Sequence, residues 1–425
     1  MKLIPALLLF ALTFLNGFSQ ELNLKEQALE EFKKEHYSEA ILLLEQAAIQ
    51  NPQDAEIFYY LGWFNHYRAY DSRPFKGYDY SYSDRIFMYL DKALELKPDY
   101  GDAKYFYGAE CSGNAFIAMQ NYDLNSLKYF YKLADDKGAY PLWLKEFGRN
   151  FLNSCDENAI LFTGGNADFD VCTYLQLHEN LRPDITLIPI GNIDRPWYVK
   201  FLKDGLDGGV KKIDIQLTEK QIMDMHPYKW DTTNVSIPIS QKDKEKFKLS
   251  EDYRMQWQIE PDLFSERMHS KIESEKAKKR TFLSPQRAVL LQIIEDNFSG
   301  RPVFFSNFCS TALYGGLNKF FQNCGMVSRL TPVLTHGTEY AFDYGIMELL
   351  LRESNVKNFN TITNNDMPRI SGVIASGYFQ TFFNLSDNYG IEKKSKERLK
   401  NLFVKYFKIG YNTEYETEIL KSLEN

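Results

Sequence analysis

The stretch Ile160–Asp170, "ILFTGGNADFD", decides how the chain is read. A short apolar, β-prone run enters a glycine pair, and two acids follow just ahead of a segment with helical periodicity. That order, strand to tight turn to helix, is the first half of a βαβ unit. Next, "DFDVCTYLQLHENL" sets Val171, Tyr174, Leu175 and Leu177 along one helical face, and "DITLIPI" supplies a second buried strand. A strand, helix, strand order of this kind predicts parallel strands and a right-handed crossover. "DRPWYVKFLKDGL" reads as the next helix. Further on, "SPQRAVLLQIIEDNF" opens with Ser284 as N-cap and Pro285 in the first helical turn, and "RPVFFSNF" gives a third strand.

An open parallel sheet gathers ligands outside the carboxyl ends of its strands. Here that edge carries Asn166 and Asp168 after the first strand, then Asn192, Asp194 and Arg195 after the second. Ser306 and Asn307 follow the third. Trp197, beside Tyr198, reads either as a stacking surface for a sugar ring or as rim packing. Three readings of the opening loop stay open: a capped turn, a sugar or cation contact, and a phosphate cradle. Against phosphate, the loop has neither GxGxxG spacing nor a following GK[ST]. Asp168 and Asp170 also occupy the positive end of the helix that an anion needs. The capped-turn reading expects Gly164 and Gly165 to be turn residues and Asp168 to cap the helix.

Upstream, residues 24 to 150 carry an internal period. Ala40, Leu44, Ala47 and Pro52 sit at the offsets of the second helix of a tetratricopeptide repeat, and Phe58, Leu61 and Gly62 start the next unit. Ala93 and Pro98 close that unit after an aromatic-rich insertion, "RAYDSRPFKGYDYSYSD". Gly108, Phe130 and Leu133 mark a third, looser unit, and Leu144, Phe147 and Gly148 a closing helix. The stretch resembles the tetratricopeptide family, which implies a helical scaffold with a binding face for a protein partner and no activity of its own. The aromatics of the insertion, Tyr70, Phe75, Tyr78, Tyr80 and Tyr82, read as an exposed interface patch, or as rings folded back over the repeats.

With 425 residues, 44% hydrophobic and 15% aromatic, the chain has ample core for several domains. A formal net charge of -7 argues against a nucleic-acid partner or an anionic membrane surface. The one basic run, Glu275–Arg280, reads as a solvated face. Five cysteines include no CxxC, so the expectation is buried thiols and no metal, with Cys309 and Cys324 the first pair to test for a bridge. Six scattered histidines form no HExxH, and no GxSxG elbow occurs. No catalytic residue, metal ligand or cofactor is assigned.

The segments "ENAILFTGGNADFDVCTYLQ", "LRPDITLIPIGNIDRPWYVKFLK", "NFSGRPVFFSNF", "GMVSRLTPV" and "NTITNNDMPRISG" together resemble, from about residue 157 to 400, part of a known family. It is the soluble region that follows the transmembrane part in bacterial membrane proteins akin to protein O-mannosyltransferases. The loop of that family has the form asparagine-glycine-aspartate-asparagine-aspartate. In this chain Gly164, Gly165, Asn166, Ala167 and Asp168 occupy it and retain one acid. The membrane segment that carries glycosyl transfer there is replaced here by a leader and the repeats. The resemblance therefore implies a detached accessory or recognition domain, with a glycan as a ligand class, rather than a transferase.

The fold expected is α+α/β, in four parts. A signal peptide (1–19) precedes tetratricopeptide-like helical repeats (20–150), an α/β domain with a parallel sheet core (151–345) and a C-terminal helical segment (346–425). The function expected is an envelope interaction protein in the periplasm or outer envelope of a Gram-negative bacterium, with no transmembrane segment in the mature chain. A glycan- or polypeptide-modifying enzyme working in the strand-end crevice is the alternative. Lys2, the apolar run Leu3–Leu15 and small residues Gly17 and Ser19 make a complete cleaved leader. N-terminal sequencing of the native protein is expected to start at Gln20. An intact Met1 on cytoplasmic protein would overturn that reading.

Overall fold

The structure is a computed structural model that describes residues 24–71, 78–165, 167–229, 233–259, 282–362, 366–388, 392–410 and 412–424. The expected leader, Phe75, Asn166, His269 and the basic run Glu275–Arg280 lie outside the described residues, as does the side chain of Tyr70. By contacts the chain divides into two compact units. The first takes in the chain up to Asn114 with Leu133–Ala139 and Thr363–Ser371; the second takes in Ala115–Lys132, Tyr140–Ile362 and Gly372–Asn425.

Unit 1 is built of helices in pairs: α1 (24–33) and α2 (Tyr37–Gln50), then α3 (Ala55–Asp71) and α4 (Ser83–Leu96), then parts of α5 (Gly101–Gln120) and α6 (Leu124–Asp136). Ala40, Leu44 and Ala47 recur at three- and four-residue spacing, so they form one stripe of α2 and pack with Ile57, Leu61 and Phe64 of α3 in a common core. Pro52 and Pro98 each stand two residues past a helix end, where a residue without an amide proton stops propagation. Gly62 of α3 faces Leu90 of α4 so closely that a Cβ there would lie 2.6 Å from the Leu90 side chain, which is why the period demands a small residue.

A buried acid organises the second pair. Glu110 of α5 is fully buried, and His66 Nδ1 lies 2.9 Å from its carboxylate. The hydroxyls of Tyr78 and Ser83 donate to the same group, and the Asn114 amide lies 3.4 Å from Oε1. Tyr78 belongs to the insertion, so its hydroxyl pins the described end of that loop onto the helices. Tyr80 packs edge-on against Tyr78 at 4.9 Å, and Tyr82 accepts a hydrogen bond from Arg68 at 2.9 Å. The described aromatics of the insertion are thus folded back over the repeats, and the reading of them as an exposed patch is corrected.

Unit 2 contains a five-stranded sheet. Along the chain come α7 (Leu142–Asn153), β1 (Ile160–Thr163), α8 (Ala167–Glu179), β2 (Thr186–Pro189) and α9 (Pro196–Asp204). An irregular stretch holds α10 (Glu219–Met223), β3 (Tyr228–Lys229), β4 (Thr233–Ile237), α11 (Gln241–Lys246), β5 (Met255–Ile259) and β6 (Phe282–Leu283). Then follow α12 (Pro285–Asn297), β7 (Val303–Ser306), β8 (Phe321–Asn323), β9 (Val327–Leu330) and the helices α13 (Tyr344–Leu350), α14 (Pro368–Asn388), α15 (Lys393–Tyr406) and α16 (Thr413–Glu424). The sheet order is β2-β1-β7-β9-β8. β1 pairs parallel with both β2 and β7, matching Ile160 with Thr186 and with Val303.

All three parallel strands are buried along their whole length, as continuous apolar runs between helical layers should be. Ser284 caps α12 by accepting the Arg287 amide, with Pro285 in the first turn. β9 returns antiparallel to β7 and pairs with β8, an addition to the parallel core the sequence predicts. The helix expected to close the repeats, α7, sits in unit 2, where a Cβ at Gly148 would lie 2.8 Å from Leu175 of α8. Phe382 and Phe403 pack with Phe407 into an aromatic core for the C-terminal helices. The five cysteines are buried and none is in a disulfide, so Cys309 and Cys324 are separate thiols and not a bridge. Among the described residues no helix is long and apolar enough to cross a membrane.

Removing Glu110 strands several buried donors at once. Glu110→Ala is expected to lower unfolding stability by roughly 3 kcal/mol, whereas Glu110→Gln, which keeps an acceptor, costs less. Urea unfolding followed by circular dichroism checks the order of the two, and equal small losses would show that the network is dispensable.

Candidate functional site

Polar and aromatic side chains come together at the carboxyl edge of the parallel strands in unit 2 and on one helical face in unit 1.

At the strand edge, β1 leaves through Gly164 and Gly165. A Cβ on Gly164 would lie 2.8 Å from the Phe308 carbonyl oxygen, so no side chain fits there. Gly165 has φ +99, a conformation costly for any residue with a Cβ. Asp168 is 2% exposed and falls inside the first turn of α8. Its Oδ2 accepts the Gly164 N–H at 2.8 Å, backwards across the turn. The expectation that Asp168 caps the helix is corrected in this respect: its carboxylate clamps the preceding loop, because the strand hands over to the helix within three residues. Asp168 Oδ1 is buried with no hydrogen-bond partner. Burial lifts the carboxyl to about 6, with the Ser306 side chain and the Gly164 and Gly165 amides offsetting part of that rise.

The other predicted ligands do not converge on this oxygen. Asn307 uses its side chain inside the sheet, donating to the Gly325 carbonyl at 2.6 Å and accepting from the Ser328 hydroxyl at 2.8 Å. Asn192 ends a single helical turn and its carbonyl accepts the Arg195 amide at 3.1 Å, while Asp194 and Arg195 are exposed. Trp197 is half-buried, edge-on to Phe116 at 6.5 Å. Phe116 in turn stacks on buried Phe169 at 5.6 Å, and Tyr198 joins the same cluster at 6.1 Å. Aromatic rings, not a water-filled crevice, flank α8 on this side. Burial pushes the thiols of Cys155, Cys172, Cys309 and Cys324 up, away from the thiolate that a nucleophile needs. Among the described residues no cluster of His, Cys, Asp and Glu could hold a metal ion.

On unit 1, α3 and α5 present a notch. Tyr59 and Trp63 stand one turn apart on α3, and Asp102 and Phe106 one turn apart on α5, so each pair shares a helix face. Trp63 and Phe106 stack at 5.6 Å, and Tyr59 packs on Trp63 at 5.7 Å. Arg369, from the segment Thr363–Ser371 of the same unit, lies in this notch. Its guanidinium carbon is 4.3 Å from the Trp63 ring centre and 5.1 Å from that of Phe106. One of its nitrogens donates to the Tyr59 hydroxyl at 3.2 Å, and Nε is 3.7 Å from Asp102 Oδ1. Burial raises the Asp102 carboxyl, with Arg369 and Tyr59 pulling it back. Burial also drives the Tyr59 hydroxyl well above the usual phenol range. None of these four side chains stands out in the sequence reading of the repeats. The available signal was the repeated i, i+4 spacing of polar or aromatic residues on the first helices of successive pairs.

Residues 144–276 match the family described as TMEM260-associated domain 2. The match takes in β1, β2 and the candidate residues from Asp168 to Trp197, and stops short of β7 and Asn307. No curated protein matches the chain, and neither does any solved structure.

The raised Asp168 carboxyl makes a signed prediction. Its folded value lies above the unfolded one, so its contribution to stability is complete below about pH 4 and is lost as pH rises through about 6. A shift of about two units corresponds to on the order of 3 kcal/mol at most. Asp168→Asn keeps an acceptor for Gly164 and removes the ionisation, so its stability is expected to fall less between pH 4 and 7 than that of the unaltered chain. Superimposable pH profiles of unfolding for the two proteins would refute this.

Proposed function

We propose that the chain is an accessory interaction protein of the bacterial envelope. Its helical repeats, tetratricopeptide-like in period, hold a protein partner, and its α/β unit recognises a glycan or another envelope component. The observation that carries the first half is the notch of Tyr59, Trp63, Asp102 and Phe106, which offers flat aromatic faces beside a carboxylate. Aromatic and charged groups on adjacent helices are what a protein-binding face supplies. The second half rests on the resemblance to the soluble region of the mannosyltransferase-like membrane proteins. The match to TMEM260-associated domain 2 falls on the same strands and helices and supports that grouping.

The alternative, a glycan- or polypeptide-modifying enzyme, has one observation in its favour: a buried carboxyl poised at about 6 beside a parallel sheet edge. Against it, Asn307 is committed to the β7–β9 connection, and Phe169 stacks on Phe116 beside Asp168. Export through the predicted leader would place the protein outside the cytoplasm.

Crosslinking in native envelopes, followed by affinity purification and quantitative mass spectrometry, tests the reading. A chain carrying Trp63→Ala with Asp102→Asn is expected to keep its helical circular dichroism and recover at least tenfold less of its principal protein partner, while Asp168→Asn recovers it undiminished. Equal recovery by all three would remove the repeats from partner binding.

A further inference from the structure

We infer that the notch on α3 and α5 is a recognition site for an arginine-bearing extended segment of a protein partner, and that Arg369 is its intramolecular occupant, which such a segment must displace. This rests on the reading of the repeats as a partner-binding face and names the chemistry of what binds there. Three features carry it.

The first is shape and charge. A guanidinium is planar, always charged and weakly hydrated, so it stacks on aromatic rings better than an ammonium does. The notch supplies two such rings, Trp63 and Phe106, within 4.3 and 5.1 Å of the Arg369 guanidinium carbon. It adds a hydroxyl acceptor in Tyr59 and a carboxylate in Asp102.

Incomplete fit is the second feature. Trp63 Nε1 and Asp102 Oδ1 are both buried atoms without a hydrogen-bond partner. At 3.7 Å, Arg369 Nε is within ion-pair range of Asp102 but too far for a hydrogen bond. A buried donor and a buried acceptor left unmade cost free energy that a better ligand would recover. An extended segment offers both missing partners: a backbone carbonyl for the indole N–H, and an arginine set deep enough for a paired, charge-assisted bond to Asp102.

Third is the nature of the occupant. Arg369 follows Met367 and Pro368, and Met367 holds a left-handed backbone conformation with φ 49, which is strained for a residue with a side chain. An arginine in the first turn of α14, entered through a strained residue and leaving two polar atoms unsatisfied, is a weak competitor. Its presence cuts the apparent affinity for an outside segment to the intrinsic affinity times the fraction of time the notch is empty.

The test uses the full chain and a blocked, fluorescently labelled peptide of the chain's own sequence from Asp366 to Gly372, DMPRISG. Anisotropy titration is expected to show saturable submillimolar binding to the Arg369→Ala chain and at least tenfold weaker binding to the unaltered chain, where the notch is filled. The peptide DMPAISG is expected to bind the Arg369→Ala chain at least tenfold more weakly, and DMPKISG severalfold more weakly, because an ammonium does not stack as a plane. Adding Asp102→Asn to Arg369→Ala is expected to reduce affinity at least fivefold and flatten its salt dependence. Circular dichroism checks the fold of each variant, and Arg369→Gln, which keeps the stem of the side chain, is read in the same way. No binding by the emptied notch, or equal binding of the arginine and alanine peptides, overturns the proposal. If the peptide results hold while the crosslinked partner of the double variant is unchanged, the reading of the repeats as the partner site fails instead. Loss of the partner with no peptide binding leaves that reading standing and removes only the arginine.

Discussion

Unit 2 depends on a constraint at one turn: β1 is the middle of the three parallel strands and is buried throughout, so the chain must leave its end without a side chain and without an unpaired amide. Gly164 meets the first demand, because the Phe308 carbonyl occupies the space a Cβ would need. Asp168 meets the second by accepting the Gly164 amide at 2.8 Å. Both are local solutions to burial from two sides. β2 and β7 pair with β1 in register, and β9 pairs with β7, so the alignment of the five-stranded sheet is propagated from the strand whose exit these two residues control. The cost is a carboxyl held in a dry place, which the raised Asp168 value expresses.

The parts of this fold that were readable in the sequence are those where a local rule and the tertiary environment agree. "AILFT", "DITLIPI" and "RPVFFSNF" are continuous apolar runs, and they become strands buried on both faces. Ser284 and Pro285 start α12 because both their local conformations and their hydrogen-bonding capacity favour a helix entry. The β8–β9 hairpin was not readable. Its strands are three and four residues long, and what aligns them is the pairing of Phe321 with Leu330 and of Phe304 with Arg329, contacts that no periodicity announces. The strand-edge residues illustrate the same limit. Asn307 looks like a ligand beside a sheet edge, yet the Gly325 carbonyl and the Ser328 hydroxyl, both close to it only in space, use up its amide.

Two acids in the helical unit, one buried and one partly so, show how satisfaction separates structure from function. Glu110 is surrounded by His66, Tyr78, Ser83 and Asn114, so its burial is compensated and its network fixes where the insertion rejoins the helices. Asp102 has one cation at ion-pair distance and an oxygen without a hydrogen bond. The first arrangement has nothing left to offer a ligand. The second retains unmade interactions, and a ligand that completes them gains what the fold itself has forgone.

Asp168 also keeps an unpartnered oxygen, so lack of a partner alone does not locate a binding site. Access decides between the two carboxylates. Asp168 is closed off within unit 2, 2% exposed, with the neighbouring Phe169 stacked on Phe116 at 5.6 Å; a ligand would have to open that aromatic packing before reaching it. Asp102 is only partly buried, and the cation beside it, Arg369, stands in the first turn of α14 just after the strained Met367. Entry at Asp168 would disturb aromatic packing worth roughly 0.5–1.5 kcal/mol per pair. At the sheet edge Asp168 and Asn307 thus spend their polar groups on the fold itself, whereas Asp102 on the helical face keeps an oxygen without a hydrogen bond.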